Sequence, residues 1–241
     1  MATLEGQIAV ITGASRGIGR CIAVRLAGLK AMVVLCARSE DLLNGVARQI
    51  EHSGGRSLVI PVELEEERSI KALAATVRDR FGRLDILVNN AGITHSAVLE
   101  ATATEDYDRL MHVNARAPFI LCRETLDMLK NSPAGRIVNI CSVVGIKGYP
   151  KQIAYTASKH ALRGMSIALA EELRGTRVRV HVICPGGVDT DMVGQVRPDI
   201  NKGELIGPDE VAELVEYMVT HQGNAVVDEL RIRRATAGPW F

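Results

Sequence analysis

Large rings are scarce in this chain. Of 241 residues, one is Trp, four are Tyr and three are Phe, 3% in all. A core built on aromatics is therefore excluded. The interior must be Ala, Val, Ile and Leu, as in α/β proteins with buried parallel strands. Surplus charge is missing too: 29 Lys and Arg stand against 28 Asp and Glu, a net +1. That balance argues against binding a phosphate backbone by overall charge, and no nucleic-acid partner is expected. Long apolar runs are absent: the stretch 22–37 comes nearest, but Arg25 and Lys30 interrupt it, short of the roughly 18 residues a membrane span needs. The opening residues lack the basic segment of a signal peptide. Five cysteines form no CxxC pair, and no His set has metal-ligand spacing. Cys36, Cys141 and Cys184 each end an apolar run, which predicts buried reduced thiols and a cytoplasmic protein with no membrane or metal partner.

What remains is an ordinary globular mixture, 47% apolar and 24% charged. Short apolar runs alternate with longer amphipathic segments. The pattern predicts strands at about 7–12, 31–36, 57–62, 85–89, 136–141, 178–184 and 226–232. Helices are predicted near 17–29, 40–53, 66–81, 104–131, 152–173 and 208–221. Gly28, Gly54-Gly55 and Gly82 read as helix stops, and Ser39 before Glu40-Asp41 as an N-cap. Runs such as 31–37 are almost continuously apolar, as strands covered on both faces are. No linker or repeat divides the chain. The expectation is a single doubly wound, Rossmann-type α/β domain over 1–241, with about seven parallel strands and helices on both faces.

The first strand runs straight into Thr12-Gly13-Ala14-Ser15-Arg16-Gly17-Ile18-Gly19, which opens a helix. Glycines there let the backbone approach a pyrophosphate at the helix N-terminus. With this loop, the chain resembles the classical short-chain dehydrogenase/reductase family, whose glycine motif is TGxxxGxG. Further motifs follow in family order: Asn89-Asn90-Ala91-Gly92, then Asn114, Ser142, Tyr155 and Lys159, then Pro185-Gly186-Gly187-Val188-Asp189-Thr190. The likeness runs through about Val227.

Charge addresses the cofactor. NAD-preferring dinucleotide folds carry an acid at the end of the second strand. Here Leu35-Cys36-Ala37-Arg38 has none. Arg38 and Arg16 together would suit a 2′-phosphate, which favours NADP(H). The resemblance implies further cofactor contacts. Gly13, Ser15, Gly17, Ile18 and Gly19 cradle the phosphates, and Glu63 stands where relatives usually have an adenine-binding Asp. Leu64 offers its amide to the ring, and Asn90, Ala91 and Gly92 lie along the adenosine ribose side. Pro185, Gly186, Val188 and Thr190 border the nicotinamide, while Tyr155 and Lys159 reach its ribose.

Tyr155 and Lys159 are four apart and share a helix face. A nearby ammonium should bring the phenol toward neutral pH, making Tyr155 the proton donor as hydride reaches a carbonyl carbon. By resemblance, Ser142 orients the substrate oxygen, and Asn114 interrupts its helix and holds a water on a proton path to Lys159. His95 falls where relatives line the substrate pocket.

These motifs imply an NADPH-dependent reductase of a small-molecule ketone or aldehyde. The alternatives are a 3-oxoacyl-acyl-carrier-protein reductase and an NADP(H)-binding sensor without turnover. Where the carrier-protein enzymes look to present arginines on two long helices, this chain has Asp127 and Glu171, which should repel an acidic carrier. The segment 191–207 reads as a short substrate loop, implying an open pocket. Small residues after Tyr155 (Ala157, Ala161, Gly164, Ala168) permit close helix packing, and a homodimer or homotetramer is expected. The family's ending is Gly-rich; here Glu229–Ala235 is followed by Gly-Pro-Trp240-Phe241. That apolar tail, 233–241, is expected to dock at a subunit interface.

Overall fold

The apolar runs become the strands of one parallel sheet. The computed structural model describes residues 3–196 and 200–239. The strands are β1 (Ile8–Thr12), β2 (Met32–Ala37), β3 (Arg56–Pro61), β4 (Ile86–Asn89), β5 (Arg136–Ile140), β6 (Arg179–Pro185) and β7 (Glu229–Ile232). They lie in the order β3-β2-β1-β4-β5-β6-β7, and every pairing is parallel. Strand order reverses between β1 and β4, the crevice where open α/β sheets bind ligands.

Helices α1 (Gly17–Gly28), α2 (Glu40–His52), α3 (Glu67–Phe81), α4 (Thr104–Met111), α5 (Ala117–Lys130), α6 (Ile153–Glu172), α7 (Asp191–Val196) and α8 (Pro208–Thr220) complete the chain. Alternate strand residues feed two aliphatic layers. Ile11, Leu35 and Val88 pack with Ile22, Leu26 and Val215 of α1 and α8. Val10, Val34 and Leu87 pack with Ile70, Leu73, Ile120 and Leu129 of α3 and α5. Each such side chain contributes about 1.5–3 kcal/mol on burial, so the sheet needs no aromatic ring to hold it.

The boundaries differ from the pattern at four places. The expected helix 104–131 is broken by a wide π turn at His112–Arg116, because the side chain of Asn114 is bonded outside the helix. Strand β7 starts at Glu229 rather than near 226. Ser39 precedes α2, but its hydroxyl makes no cap bond. After α1 the positive-φ turn falls on Lys30, not Gly28. The glycine stop at Gly82 is left-handed, with φ +68°. No helix among the described residues is long and apolar enough to cross a membrane.

Candidate active site

At the C-terminal ends of the strands lies a cavity of about 1280 Å³, room for a dinucleotide and a small substrate together. One end is the glycine loop between β1 and α1. Gly13 has φ +66°, and a Cβ there would sit 2.9 Å from the Cα of Ala91. At Gly19 a Cβ would fall inside the carbonyl oxygen of Gly13. The bare backbone thus forms a cradle opening on the N-terminus of a helix, as a pyrophosphate requires. Asn90 braces it: its side-chain amide donates to the carbonyls of Thr12 (2.9 Å) and Gly13 (3.3 Å). The Thr12 hydroxyl accepts from the amides of Asn90 (3.0 Å) and Ala91 (3.1 Å).

Ser15, Arg16, Gly17, Ile18, Arg38, Glu63 and Leu64 all border this end, as do Ala91 and Gly92. Arg38 is exposed and free to meet a ligand. Arg16 instead points to α7, where it pairs with Asp191 at 3.0 Å. The Glu63 carboxylate turns back to accept from its own loop, at the Glu65 amide (3.4 Å).

The other end carries the polar cluster. Tyr155 and Lys159 stand one turn apart on α6, both buried. The Ser142 hydroxyl, just past β5, stands beside the Tyr155 phenol on the cavity wall and accepts from the amide of Val144 (3.4 Å). The Lys159 ammonium donates to the Ile140 carbonyl at 3.0 Å and lies 5.9 Å from the centroid of the Tyr155 ring. Asn114 is wholly buried. Its amide donates to the Ile93 carbonyl (2.9 Å) and the Ser158 hydroxyl (3.0 Å), and its Oδ1 accepts from the Ile93 amide (2.9 Å). These bonds tie the π turn to the NNAG loop and to the helix that carries Lys159.

Electrostatics here corrects one expectation. Desolvation raises the Tyr155 phenol above its ordinary range, outweighing the neighbouring Ser142 hydroxyl that lowers it. Desolvation also lowers Lys159. The ammonium near Tyr155 therefore does not bring the phenol toward neutrality, because burial of both groups dominates.

A model of the short chain dehydrogenase family matches residues 7–201. The chain belongs to the short-chain dehydrogenase/reductase family. It is 35% identical to a 3beta-hydroxysteroid dehydrogenase of Mediterraneibacter gnavus, covering 83% of this chain and 72% of that one. It is 34% identical to the 3-oxoacyl-[acyl-carrier-protein] reductase FabG of Escherichia coli (strain K12), covering 93% and 94%. Among solved structures it resembles a metagenomic short-chain oxidoreductase in complex with NADP, with a TM-score of 0.85, 36% identity, and 96% and 99% of the two chains covered. The short-chain dehydrogenases and reductases are oxidoreductases acting on small molecules, and this chain is one of them.

Several features of this oxidoreductase lay outside its motifs. Thr12 emerges as the brace of the glycine loop and Ser158 as the partner of Asn114. The Thr94 Oγ1 and His95 Nε2 atoms are buried at the cavity without a hydrogen-bond partner among the described residues. His95 lies 3.8 Å from the Asp106 carboxylate. Pro185 ends β6, Gly186, Val188 and Thr190 follow it along the same wall, and the amide of Ile206 returns to the Gly187 carbonyl (3.0 Å). Arg233, Arg234 and residues 237–239 also border the chain's own cavity. Arg234 reaches Glu204 (3.4 Å) and Thr236 bonds the same carboxylate (3.0 Å), joining the tail to the 191–207 segment. Trp240 and Phe241 lie outside the described residues. Asp127 and Glu171 are exposed on α5 and α6.

Proposed function

We propose that this enzyme reduces the carbonyl of a ketone or aldehyde to an alcohol with NADPH, and that Asn114, Ser142, Tyr155 and Lys159 carry the reaction. The observation behind this reading is the meeting of the Ser142 and Tyr155 hydroxyls in the same cavity as the glycine cradle. NADPH, when bound, supplies the hydride. Ser142 holds and orients the substrate oxygen, and Tyr155 gives it a proton. The raised phenol suits a donor that must stay protonated at neutral pH. Lys159 would hold the cofactor's ribose hydroxyls and return a proton to Tyr155, with Asn114 fixing the helix break beside it and a water on the proton path.

The residues fit a 2′-phosphorylated dinucleotide. Arg38 stands exposed at the adenosine end, no acid ends β2, and Arg16 needs only to leave a solvent-exposed partner. NADP-bound neighbours such as the metagenomic oxidoreductase support the same choice. Gly13, Ser15, Gly17, Ile18 and Gly19 would hold the phosphates, Glu63, Leu64 and Asn90 through Gly92 the adenosine, and Pro185, Gly186, Val188 and Thr190 the nicotinamide.

Acyl-carrier-protein reduction is the second reading, favoured by the FabG relatives. Exposed acids at Asp127 and Glu171 oppose it. An exposed apolar face on α4–α6, with Tyr107, Phe119 and Ile167 41–52% exposed beside the small residues of α6, supports assembly as a homodimer or homotetramer. Five unbridged cysteines support the cytoplasm as its compartment.

The test follows NADPH absorbance with a panel of ketones and with acetoacetyl thioesters. Oxidation with ketones and little with thioesters is expected. Preference for the thioesters gives the carrier-protein reading, and flat traces beside tight NADPH binding give a sensor without turnover.

A further inference from the structure

Beneath the proposed catalytic residues lie two thiols that the reaction does not use. Cys141 follows β5 directly, and its amide donates to the Ile183 carbonyl of β6 at 2.8 Å. The register Ile140↔Ile183 therefore continues to Cys141 beside Cys184. Both side chains fall on one face of the sheet, in a small apolar cluster with Val182 and Ile146. Neighbouring strands run about 4.8 Å apart, within the span of Cα atoms that a disulfide bridges. Both thiols are buried, at 3% and 0% exposure, yet Cys141 borders the cavity beside Ser142 and Cys184 does not. A small molecule entering the active site thus meets one thiol, with the second directly behind it.

We propose that Cys141 and Cys184 form a peroxide-oxidisable dithiol, which closes to an inter-strand disulfide and draws Ser142 away from Tyr155. Cys141 attacks the outer oxygen of a hydroperoxide. An S–O bond forms, the O–O bond breaks, and the departing oxygen takes the thiol proton. Cys184 then attacks the Cys141 sulfur; the S–S bond forms and hydroxide leaves with the second thiol proton as water. Two thiols lose two electrons, and hydrogen peroxide is reduced to two waters.

Local chemistry favours this order. The neighbouring Cys184 thiol, and after it the charge of Lys159, lower Cys141 against the opposing effect of burial, while Cys184 is raised. Cys141, the thiol of the pair that borders the cavity, is thus the one that attacks. By contrast, burial raises Cys36, and pushes Cys122 up to about 12, and neither borders the cavity. The disulfide has a cost for geometry. The Cys141 sulfur now donates to the Lys159 carbonyl (3.3 Å) and is packed so closely against Gly145 that a Cβ there would overlap it. Turning it to Cys184 breaks that link between β5 and α6 at the residue preceding Ser142.

The cross-link itself is independent of the function proposed above; only the loss of turnover rests on it. Reduced protein is treated with hydrogen peroxide, quenched with N-ethylmaleimide and digested with trypsin. Peptides 137–147 and 180–202 each contain one cysteine. A joined pair, with Cys36 and Cys122 still alkylated, is the expected result; both peptides alkylated separately overturns the proposal. Ketone reduction should fall in proportion to the cross-linked fraction and return with dithiothreitol. Full activity in cross-linked protein overturns the switch. In Cys184→Ala, peroxide should carry Cys141 beyond rescue by dithiothreitol; rescue there would also overturn it. The native mapping decides the matter if that variant does not fold. An untreated enzyme that oxidises no NADPH fails the functional reading, and the mass of the cross-link still decides the dithiol.

Discussion

The ammonium of Lys159 donates to the main-chain carbonyl of Ile140 at 3.0 Å. The α6 helix is thereby moored to the end of β5, two residues before Ser142. Tyr155, one turn earlier on that helix, is held against Ser142 by the same mooring.

Tyr155→Phe removes the proton donor and keeps the ring. Turnover should fall by roughly 10²–10⁴-fold, the usual size of a general acid contribution, while the Kd for NADPH changes little. Steady-state reduction rates and fluorescence titration with NADPH check both halves.

Because burial raises the Tyr155 phenol, the proton needed for reduction is retained throughout neutral pH. The kcat for ketone reduction should stay level upward from pH ~7 and decline only above the ordinary tyrosine range near ~10. The linkage has the same sign: a raised folded-state value favours folding below the unfolded value and loses that contribution as pH climbs through the folded one. A decline in kcat centred near pH ~7 would refute the assignment.

Arg16 and Asp191 pair at 3.0 Å, with about two-thirds of each side chain exposed. Such pairs are worth about 0.2–1 kcal/mol. Asp191→Asn should release Arg16 and tighten NADPH by up to about fivefold, with NADH unchanged. Arg38→Asp should weaken NADPH by roughly ten- to a hundredfold, the loss of a charge-assisted hydrogen bond. Binding titrations with both cofactors separate these effects.

At Gly19 a methyl group would collide with the Gly13 carbonyl. Gly19→Ala should cost about 1–3 kcal/mol of stability through overpacking and open the cradle, abolishing NADPH binding at concentrations that saturate the native protein. Thermal unfolding with and without NADPH reads both: the variant's Tm falls and no longer responds to cofactor.

The sheet was readable because its strands are nearly continuous aliphatic runs separated by helical periods, a pattern set locally. The glycine loop and the Tyr155–Lys159 spacing were readable for the same reason: one turn of helix or one strand-to-helix junction defines each. The break at Asn114 was readable only through the family resemblance, not from the local pattern. Its segment reads as one helix, and the break comes from three hydrogen bonds to Ile93 and Ser158, which are distant in sequence.

Local order along the chain determined the aliphatic core, the parallel strands and the motifs of the dehydrogenase/reductase family. Tertiary structure alone decided which charges and thiols meet. It turned Arg16 toward Asp191, placed Arg234 on Glu204, and set Cys141 against Cys184 across two strands 43 positions apart. It also raised the Tyr155 phenol by burial, where the spacing to Lys159 had led to the opposite expectation. The physical reason is that desolvation depends on everything packed around a group, and no spacing of residues along a chain encodes it.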